Sequence, residues 1–425
     1  MTTMPPGEPR TSAWIRDPHG SITWDEASCQ VDQLCGDLRR AGYSRVAVEV
    51  RNGRQLVLAL LAGLASDLEV ILAGPGAPRE TIAELRPQGV VSMVQVDGRI
   101  EIRSASAPGA RNTDLLSSPG IWIFSSGTTG RPKATHWPWA SIAPGSLQEP
   151  TPAGEFWGIG YAPFTFAAAS AVGQALSRAG RIEFLAPRDL MSTDSYGDGF
   201  DVVAATPSFW RMAAVFALRG GHQLRKVVTA STGGEPVENS LLETLKTVVA
   251  PDRIVQIFGT TELGTLLSVT DGEAGLPGTL LGKRLPNGAA FDVADGCLRI
   301  SKAAGLPFQS TGDTARVDGG RVYVTGREGL VINVGGRKVS PQRVCETVQR
   351  HPEVLAVRVY AVRSALLGHV VGVEVVPRSS GDRAAFAAEV KSYARLHLAP
   401  HECPRSVRVV DELRIAPSGK VDAHE

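Results

Sequence analysis

The sequence predicts an α/β fold, because short apolar runs alternate with amphipathic segments from the start of the chain. The runs SITW, RVAVEV and EVILAG read as strands, and the segments between them, DEASCQVDQLCGDLRRAG and NGRQLVLALLAGLA, read as helices, which is the pattern of βα units. After Gly272 the pattern changes to short β pieces with turns. Near Arg327 it changes again, to an α+β unit of about one hundred residues, a usual size for a separate domain.

Capping residues bound the first predicted helix. Asp25 is its predicted N-cap, and Gly42 is the predicted stop after the basic pair Arg39 and Arg40.

Further along, RIEFLAP, DVVAATPS, KVVTASTGG and RIVQIFGTTE predict strands whose carboxyl ends carry Gly, Thr, Ser and Pro. Ligands of open α/β sheets bind at those ends.

Length and composition place few limits on function but exclude some classes. The chain has 425 residues, 43% of them hydrophobic, and a net charge of +1, so no overall field favours nucleic acid or an anionic membrane. The longest apolar run, residues 56–65, is about half of a membrane span. The Pro-rich start lacks the apolar core of a signal peptide. We therefore expect a cytoplasmic protein with a loose tail over residues 1–12, a core domain over 13–328 and a C-terminal domain over 329–425.

Five scattered cysteines lack metal-site spacing, which suits a reducing compartment. We expect all five to be small buried hydrophobic residues: Cys29, Cys35, Cys297, Cys345 and Cys403.

A buried strand that runs into a polar loop is the strongest local signal. The strand Ile121–Phe124 is followed by hydroxyl side chains, two glycines and a lysine, which suit phosphate oxygens because hydroxyls and close backbone N–H groups donate hydrogen bonds. The spacing excludes a Walker loop, since only two residues separate the glycines. A surface turn is the alternative. The residues predicted to contact phosphates are Ser125, Ser126, Gly127, Thr128, Thr129, Gly130 and Lys133.

Two further strand ends carry residues suited to a nucleotide. STGGEP, residues 231–236, has paired glycines that let a base or ribose lie against the backbone, although an ordinary strand-to-helix turn explains it equally well. QIFGTTE, residues 256–262, offers Phe258 to stack on a purine and Glu262 to bind Mg²⁺, an ion that needs only one or two carboxylates. A solvated glutamate is the commoner explanation of a lone Glu at a strand end.

The last three motifs are weak when taken singly. STGD places Asp313 after a Gly turn, where it can hold ribose hydroxyls. GREGLVINVGGRKVSP, residues 326–341, combines an arginine with a paired-glycine hairpin at the predicted domain junction. PSGKVD contains Lys420, which alone reads as a mobile, solvated charge near the C-terminus.

Taken in order, the motifs identify a family. SSGTTGRPK, GGEP, FGTTE, TGD, GREGLVINVGGRKVSP and PSGK are similar to the core motifs of the AMP-forming adenylating enzymes, which include acyl-CoA synthetases, nonribosomal peptide adenylation domains and luciferases. The resemblance implies a large N-terminal domain of stacked sheets and a small mobile C-terminal lid. It also implies that ATP activates a carboxylate as an acyl-adenylate, which is passed to CoA or to the phosphopantetheine of a carrier protein.

The resemblance also implies residue roles. The 125–133 loop would hold the β- and γ-phosphates, and Glu262 with Thr128 or Thr261 would organise Mg²⁺. Lys420 would bridge ribose and carboxylate oxygens, and Arg327 would act near ribose and phosphate. The other implied contacts are the nucleotide residues Gly233, Gly234, Glu235, Phe258, Gly259, Thr260 and Asp313, the acid-pocket residues Phe166, Thr206 and Gly234, and the thiol-step residues Gly335 and Gly336.

Departures from the family pattern bear on the hinge and the substrate. The hinge position, usually Asp or Lys, is Leu330, the Glu expected after the motif's proline is Arg343, and the aromatic before the FG motif is Phe258 rather than Tyr. Amino-acid-activating domains carry an Asp after a Phe in the substrate-entry segment, but Ala167 follows Phe166 here. An α-amino acid would bury an unpaired ammonium, so we predict an aryl or medium apolar acid.

Three functions remain open from the sequence. The leading hypothesis is an AMP-forming acid–thiol ligase that uses ATP and Mg²⁺ and either CoA or a carrier protein. The alternative is an adenylating enzyme with a non-thiol acceptor, such as an amine, or with a small inorganic oxyacid. A degenerate, non-catalytic binding protein is disfavoured, because the charged motif residues are all present.

Overall fold

The computed structural model describes residues 13–18, 20–75, 77, 79–85, 87–96, 99–106, 118–125, 133–143, 154–191, 199–220, 223–327, 329, 331–379 and 381–414. The chain divides into two compact units, Met1–Leu185 with Phe200–Ala204, and Ala186–Gly199 with Ala205–Glu425.

The first unit combines strand–helix repeats with runs of consecutive strands. Its elements are β1 (Ala13–Asp17), β2 (Gly20–Thr23), α1 (Trp24–Arg40), β3 (Arg45–Glu49), α2 (Gly53–Ser66), β4 (Glu69–Ala73), α3 (Arg79–Glu84), β5 (Gly89–Val96), β6 (Arg99–Ser106), β7 (Gly120–Ser125), β8 (Lys133–Pro138), α4 (Trp139–Ile142), β9 (Phe156–Gly160), α5 (Phe166–Ser177), β10 (Arg181–Phe184) and, except for its last residue, β11 (Phe200–Ala205).

These strands lie in two sheets. One has the order β6-β5-β3-β4-β7-β8, with parallel central pairs and an antiparallel strand at each edge. In the other, β2, β1, β10, β9 and β11 follow one another. Helix α2 contacts β1 of one sheet and β4 and β7 of the other. It is apolar along most of its length and almost wholly buried, as expected for a helix covered on all sides.

The second unit begins with a helix, a strand and a short helix, and continues mainly with strands and two further helices. Its helices and strands are α6 (Pro207–Gly220), β12 (Val227–Gly233), α7 (Asn239–Thr244), β13 (Arg253–Thr260), β14 (Gly264–Val269), β15 (Leu276–Pro277), β16 (Ala290–Ala294), β17 (Cys297–Ser301), β18 (Gln309–Asp318), β19 (Arg321–Arg327), β20 (Ile332–Val334), β21 (Arg337–Val339), α8 (Pro341–Gln349), β22 (Val354–Ser364), β23 (Gly368–Pro377), α9 (Arg383–His397) and β24 (Ser406–Val409). Short 3₁₀ turns lie at Pro187–Met191 and Gly278–Leu280, and a π turn at Leu245–Val249.

Three groups of strands form the second unit. The strands β14, β13 and β12 lie side by side, β15-β19-β18-β17-β16 form an antiparallel sheet, and β21-β20-β23-β22 form another, to which β24 adds by pairing with β23. Helix α6 packs against the last sheet through Met212 and Val215, which contact Leu355 and Val376. The unit thus includes residues on both sides of position 328, and the domain boundary there stays a prediction.

Most predicted strands are confirmed, but other strands were not predicted. They include β1, β9 and β14, and also β6, which pairs with β5, and β8, which pairs with β7. The predicted N-cap Asp25 is wrong, because the hydroxyl of Thr23 accepts from the Glu26 amide while the Glu26 carboxylate accepts from the Thr23 amide. This is a capping box, which satisfies two helix-end donors at once.

The cysteines are less buried than predicted, and the described helices agree with the expectation that no segment spans a membrane. Cys35 is buried as predicted, but Cys29 is exposed and the other three cysteines are partly exposed. Among the helices of the described part of the chain, none has the length and apolar character needed to cross a membrane.

A buried charged cluster lies at the amino ends of the parallel strands of the first unit. Arg45 and Glu69 begin β3 and β4 and are register partners. The Glu69 carboxylate accepts from Arg45 Nε and, at 3.1 Å, from Trp122 Nε1. Burial lowers the pKa of the neighbouring His136, which keeps its imidazole neutral near pH 7. These charges lie opposite the strand ends where ligands are expected, so their role is structural.

We predict that Glu69→Gln lowers the free energy of unfolding by about 3 kcal/mol or more, because it leaves Arg45 buried without its counter-charge. Glu155→Gln is the matched control, since Glu155 also accepts from a tryptophan indole, at 2.8 Å, and from an arginine, Arg178, at 3.2 Å, but in an exposed pair. Its cost should stay below about 1 kcal/mol. Urea unfolding of both variants measures the difference, and equal losses would contradict the assignment.

Candidate functional site

Parallel pairing of β12 with β13 brings two of the predicted motifs to one sheet edge. Gly233, at the end of β12, is the register partner of Ile257. A Cβ on Gly233 would lie 2.6 Å from the Ile257 carbonyl oxygen, so only glycine permits this approach. Gly234 follows with φ +84°, and a Cβ there would have no heavy atom within 4 Å. The backbone at Gly234 therefore faces space that a flat ligand can approach.

Glu235 connects the GGEP turn to the start of α6. Its two carboxylate oxygens accept from the Ser208 amide and the Ser208 hydroxyl, both at 2.8 Å. Thr206, which is 2% exposed, caps the same helix by accepting from the Phe209 amide at 3.1 Å. Ser208 was not among the predicted site residues. The available signal was the TPS triplet after a strand, which is typical of a helix start.

The FGTTE motif forms the tight connection between β13 and β14. Thr260 pairs with Gly264, and the Leu263 amide donates to the Thr260 carbonyl at 3.2 Å. A Cβ on Gly259 would lie 2.4 Å from the Gly264 carbonyl oxygen. Phe258 is partly buried and packs against an apolar cluster of the second unit, so part of its ring has a packing role.

The residues of this turn fit the preferences of Mg²⁺. Glu262 and Thr261 are half-buried in the turn that follows Thr260, and all three offer oxygen ligands. Within the described ranges no cluster of three or more His, Cys, Asp or Glu side chains could hold a metal ion. A single carboxylate with neighbouring hydroxyls suits Mg²⁺, which takes its remaining ligands from water and phosphate.

Asp313 and Arg327 form a cross-strand pair. They are register partners in β18 and β19, and Arg327 Nε donates to Asp313 Oδ1 at 3.2 Å. The Asp313 amide donates to the Thr311 hydroxyl at 3.1 Å, and Gly312 has φ +76°, a value that favours glycine. Two residues chosen from separate motifs are thus brought together.

The paired glycines after the predicted domain junction form a two-residue hairpin turn. Gly335 and Gly336 have φ +56° and +83° between the register partners Val334 and Arg337, as in a type I′ turn. The Gly335 amide also donates to the Leu367 carbonyl at 3.0 Å. The predicted hinge residue Leu330 lies outside the described residues.

The first unit contains the ends of the predicted phosphate loop. Ser125 ends β7 and is the register partner of Lys133, which begins β8 and is exposed. Pairing of the two strands therefore holds the ends of the loop together. Five predicted phosphate ligands lie outside the described residues: Ser126, Gly127, Thr128, Thr129 and Gly130. Lys420 lies outside them as well.

The predicted acid-pocket residues belong to different units. Phe166 begins α5 in the first unit, is partly buried, and its ring centroid lies 4.9 Å from that of Trp137. Thr206 and Gly234 belong to the second unit.

Comparison with known proteins gives two family matches. A model described as AMP-binding enzyme matches residues 108–299, and one described as AMP-binding enzyme C-terminal domain matches residues 346–420. The chain is 31% identical over 170 residues to the medium/long-chain-fatty-acid–CoA/3-oxocholest-4-en-26-oate–CoA ligase of Mycolicibacterium smegmatis. That match covers 38% of this chain and only 30% of the relative's length.

Solved structures resemble the fold over nearly the whole chain. An anthranilate CoA ligase in complex with anthranoyl-AMP has a TM-score of 0.69 at 15% identity, covering 97% of this chain and 93% of that one. A benzoate CoA ligase from Burkholderia xenovorans LB400 has a TM-score of 0.68 at 19% identity, covering 97% and 96%. Identities this low show the fold, and the predicted fold class is confirmed. Because both family models match in the order that the motifs predict, the chain belongs to the superfamily of AMP-forming adenylating enzymes.

Proposed function

We propose that this chain is an ATP-dependent, AMP-forming ligase that joins a carboxylic acid to the thiol of CoA or of a carrier protein. The names of the matched relative and of both solved structures, all CoA ligases, support this activity. The observation that carries the proposal is the 3.2 Å pairing of Asp313 with Arg327, two residues from separate motifs that are predicted to contact ribose and phosphate.

The reaction consists of two displacements. A carboxylate oxygen of the acid bonds to the α-phosphorus of ATP, and the bond from that phosphorus to the bridging oxygen of pyrophosphate breaks. The thiol sulfur then bonds to the acyl carbon, the acyl–oxygen bond breaks to release AMP, and the thiol proton passes to solvent. Both reactants of the first step are anions, so positioning and charge compensation should supply most of the catalysis.

The second unit would supply the nucleoside contacts. Gly234 presents open backbone to the adenine, and Phe258 would lie on its other side. The carboxylate of Asp313 would accept from the ribose hydroxyls, and Arg327 holds that carboxylate through its 3.2 Å hydrogen bond. Because both oxygens of Glu235 accept from Ser208, its main contribution is to fix the turn against α6.

The phosphates would be held by hydroxyl, amide and ammonium donors of residues 125–133. Glu262, with Thr128 or Thr261, would bind Mg²⁺, which when bound supplies positive charge to the phosphate oxygens. Lys420 would donate to ribose and carboxylate oxygens, where negative charge is concentrated during adenylation. Gly335 and Gly336 would contact the thiol acceptor in the second step.

The acid should be aryl or medium apolar. Phe166 packs against Trp137, and Ala167 provides no carboxylate for a substrate ammonium. Thr206 and Gly234 would complete the acid site. We place the activity in the cytoplasm, where ATP and CoA are available and where the free thiols of the chain stay reduced.

An acid-dependent ATP–pyrophosphate exchange screen tests the activity and the substrate class together. We expect aryl and medium-chain acids to support exchange, and CoA or a carrier protein to convert the adenylate to a thioester. Exchange should be at least about tenfold slower with α-amino acids, because their ammonium would be buried without a partner. Fastest exchange with an amino acid would contradict the inference from Ala167, and no exchange with any acid would contradict the proposed activity.

Asp313→Asn should raise the KM for ATP about 10-fold to 100-fold, because it removes the charge from an acceptor of ribose hydroxyls. Asp292→Asn is the matched control, since Asp292 pairs across strands of the same sheet with Arg299 at 3.0 Å. The control should change this KM less than about twofold. Equal effects in steady-state assays would assign Asp313 a structural role only.

Lys420→Ala should slow acid-dependent pyrophosphate exchange about 100-fold or more, since it removes a donor to developing charge. Lys246→Ala, which removes an exposed ammonium paired with Glu243, should leave the rate within about twofold. Unchanged exchange in the Lys420 variant would show that another group supplies this charge.

A further inference from the structure

The three residues Asp411–Leu413, which follow β24, contact helix α6 or the 3₁₀ turn beside it. Arg219, near the end of α6, donates through Nη1 to the Asp411 carbonyl at 2.8 Å and to Asp411 Oδ1 at 3.3 Å. Its Nη2 donates to the Pro377 carbonyl, at the end of β23, at 3.0 Å. One guanidinium, on a side chain that is 25% exposed, therefore joins α6 to the end of β23 and to the segment after β24.

Asp411 has a second arginine partner. Arg383, at the start of α9, donates through Nη2 to both carboxylate oxygens, at 2.9 and 2.8 Å. This hydrogen bond, the charge of Arg383 and, to a smaller extent, Arg219 lower the pKa of Asp411 from its ordinary value. The carboxylate is therefore ionised near neutral pH, as its contact with Arg219 requires.

The next two residues add an ion pair and an apolar contact. Glu412 accepts from Arg188 Nη2 at 2.8 Å, and the guanidinium carbon of Arg188 lies 4.4 Å from the centroid of the Phe216 ring on α6. Leu413 is 5% exposed and belongs to the apolar cluster between α6 and the last sheet. A single exposed ion pair contributes little, but here charged contacts stand beside a buried leucine, so the segment has a defined position on the helix.

Helix α6 also holds the turn that is proposed to contact the adenine. Ser208, in the first turn of the helix, donates to both oxygens of Glu235, whereas Arg219 lies in the last turn. The two residues are about 16 Å apart along the helix axis. One rigid element thus connects the nucleotide turn with the segment Asp411–Leu413.

Lys420 follows this segment closely in the sequence. It is seven residues beyond Leu413, and seven extended residues span at most about 25 Å. That span exceeds the distance along α6 from Arg219 to Ser208. A fixed Leu413 limits the volume that the Lys420 ammonium can search and so raises its effective concentration at the nucleotide.

We propose that Arg219 is a positioning residue for adenylation, which anchors Asp411–Leu413 on α6 and thereby places Lys420 at the nucleotide. This inference rests on the proposed function and on the role assigned there to Lys420. The two displacements should respond differently to loss of the anchor, because Lys420 is assigned to the first one only.

Separate assays of the two displacements test the assignment. Arg219→Ala should slow acid-dependent pyrophosphate exchange about tenfold, because it removes the hydrogen bonds that fix the segment. The KM for ATP should change less than about twofold, since the nucleoside contacts remain. Thioester formation from a supplied acyl-adenylate, with CoA or a carrier protein according to which the wild type uses, should stay within about twofold. Arg219→Lys should recover part of the loss, because it keeps the charge but not the planar fork.

Arg299→Ala is the matched control, because Arg299 also pairs with an aspartate, Asp292, at 3.0 Å in a partly exposed site of the second unit. It should leave pyrophosphate exchange within about twofold of the wild type. Unchanged pyrophosphate exchange in Arg219→Ala would overturn the proposal. Equal slowing of both displacements, a selective loss of thioester formation, or an equal effect of the control variant would also overturn it.

A double-mutant cycle shows whether Arg219 acts through Lys420. Arg219→Ala should slow pyrophosphate exchange no further in a chain that already carries Lys420→Ala, because the group that the anchor positions is then absent. Losses that multiply would show that the two residues act independently, which contradicts the positioning role.

Hydrogen exchange of backbone amides in the full chain separates failure of the anchor from failure of the proposed function. Peptides that contain residues 410–414 should exchange their amide hydrogens at least about fivefold faster in Arg219→Ala than in the wild type, with the rest of the chain unchanged. Unchanged amide exchange in these peptides would overturn the anchor even where acids support pyrophosphate exchange. Faster amide exchange in a chain that no acid activates would retain the anchor and reject the ligase function together with the positioning role.

Discussion

The close parallel contact between Gly233 and Ile257 is the constraint on which the candidate site depends. Any side chain at residue 233 would meet the Ile257 carbonyl oxygen at 2.6 Å and force the two strands apart. Because the strands stay together, the turn that begins at Gly234 and the turn that contains Glu262 leave one sheet at adjacent positions. Glycine at residue 233 thus permits the close backbone contact that positions both turns, and the polar side chains of the site lie on those turns.

Hydrogen bonds behind the site sort its polar residues into two kinds. Glu235 is engaged by Ser208 through both oxygens and therefore holds the turn in place. Asp313 is held by a neighbouring strand through Arg327, which orients its carboxylate. The buried Glu69 cluster is a third arrangement, at the amino ends of strands, where charge serves the fold alone.

Features that depend on a short stretch of sequence were predicted, whereas features that depend on distant partners were not. Apolar runs such as Ile121–Phe124 predicted strands correctly, because buried parallel strands need continuous apolar sequence. The strand β8 was missed because its residues, KATHWP, lack that pattern and gain their partners only by pairing with β7. Thr23 and Asp25 are both good N-caps, and only the carboxylate of Glu26 three residues after Thr23 distinguishes them. The link from Glu235 to Ser208 spans 27 residues, and nothing local to either residue specifies it.

The nucleoside contacts of the second unit connect the confirmed family and fold to the proposed chemistry. A crystal structure of the full chain with a non-hydrolysable acyl-adenylate analogue tests that connection most directly. We expect ribose hydroxyls within hydrogen-bonding distance of the Asp313 carboxylate and the adenine against the backbone of Gly234. An analogue bound away from both residues, with Asp313 contacting only protein groups, would contradict it.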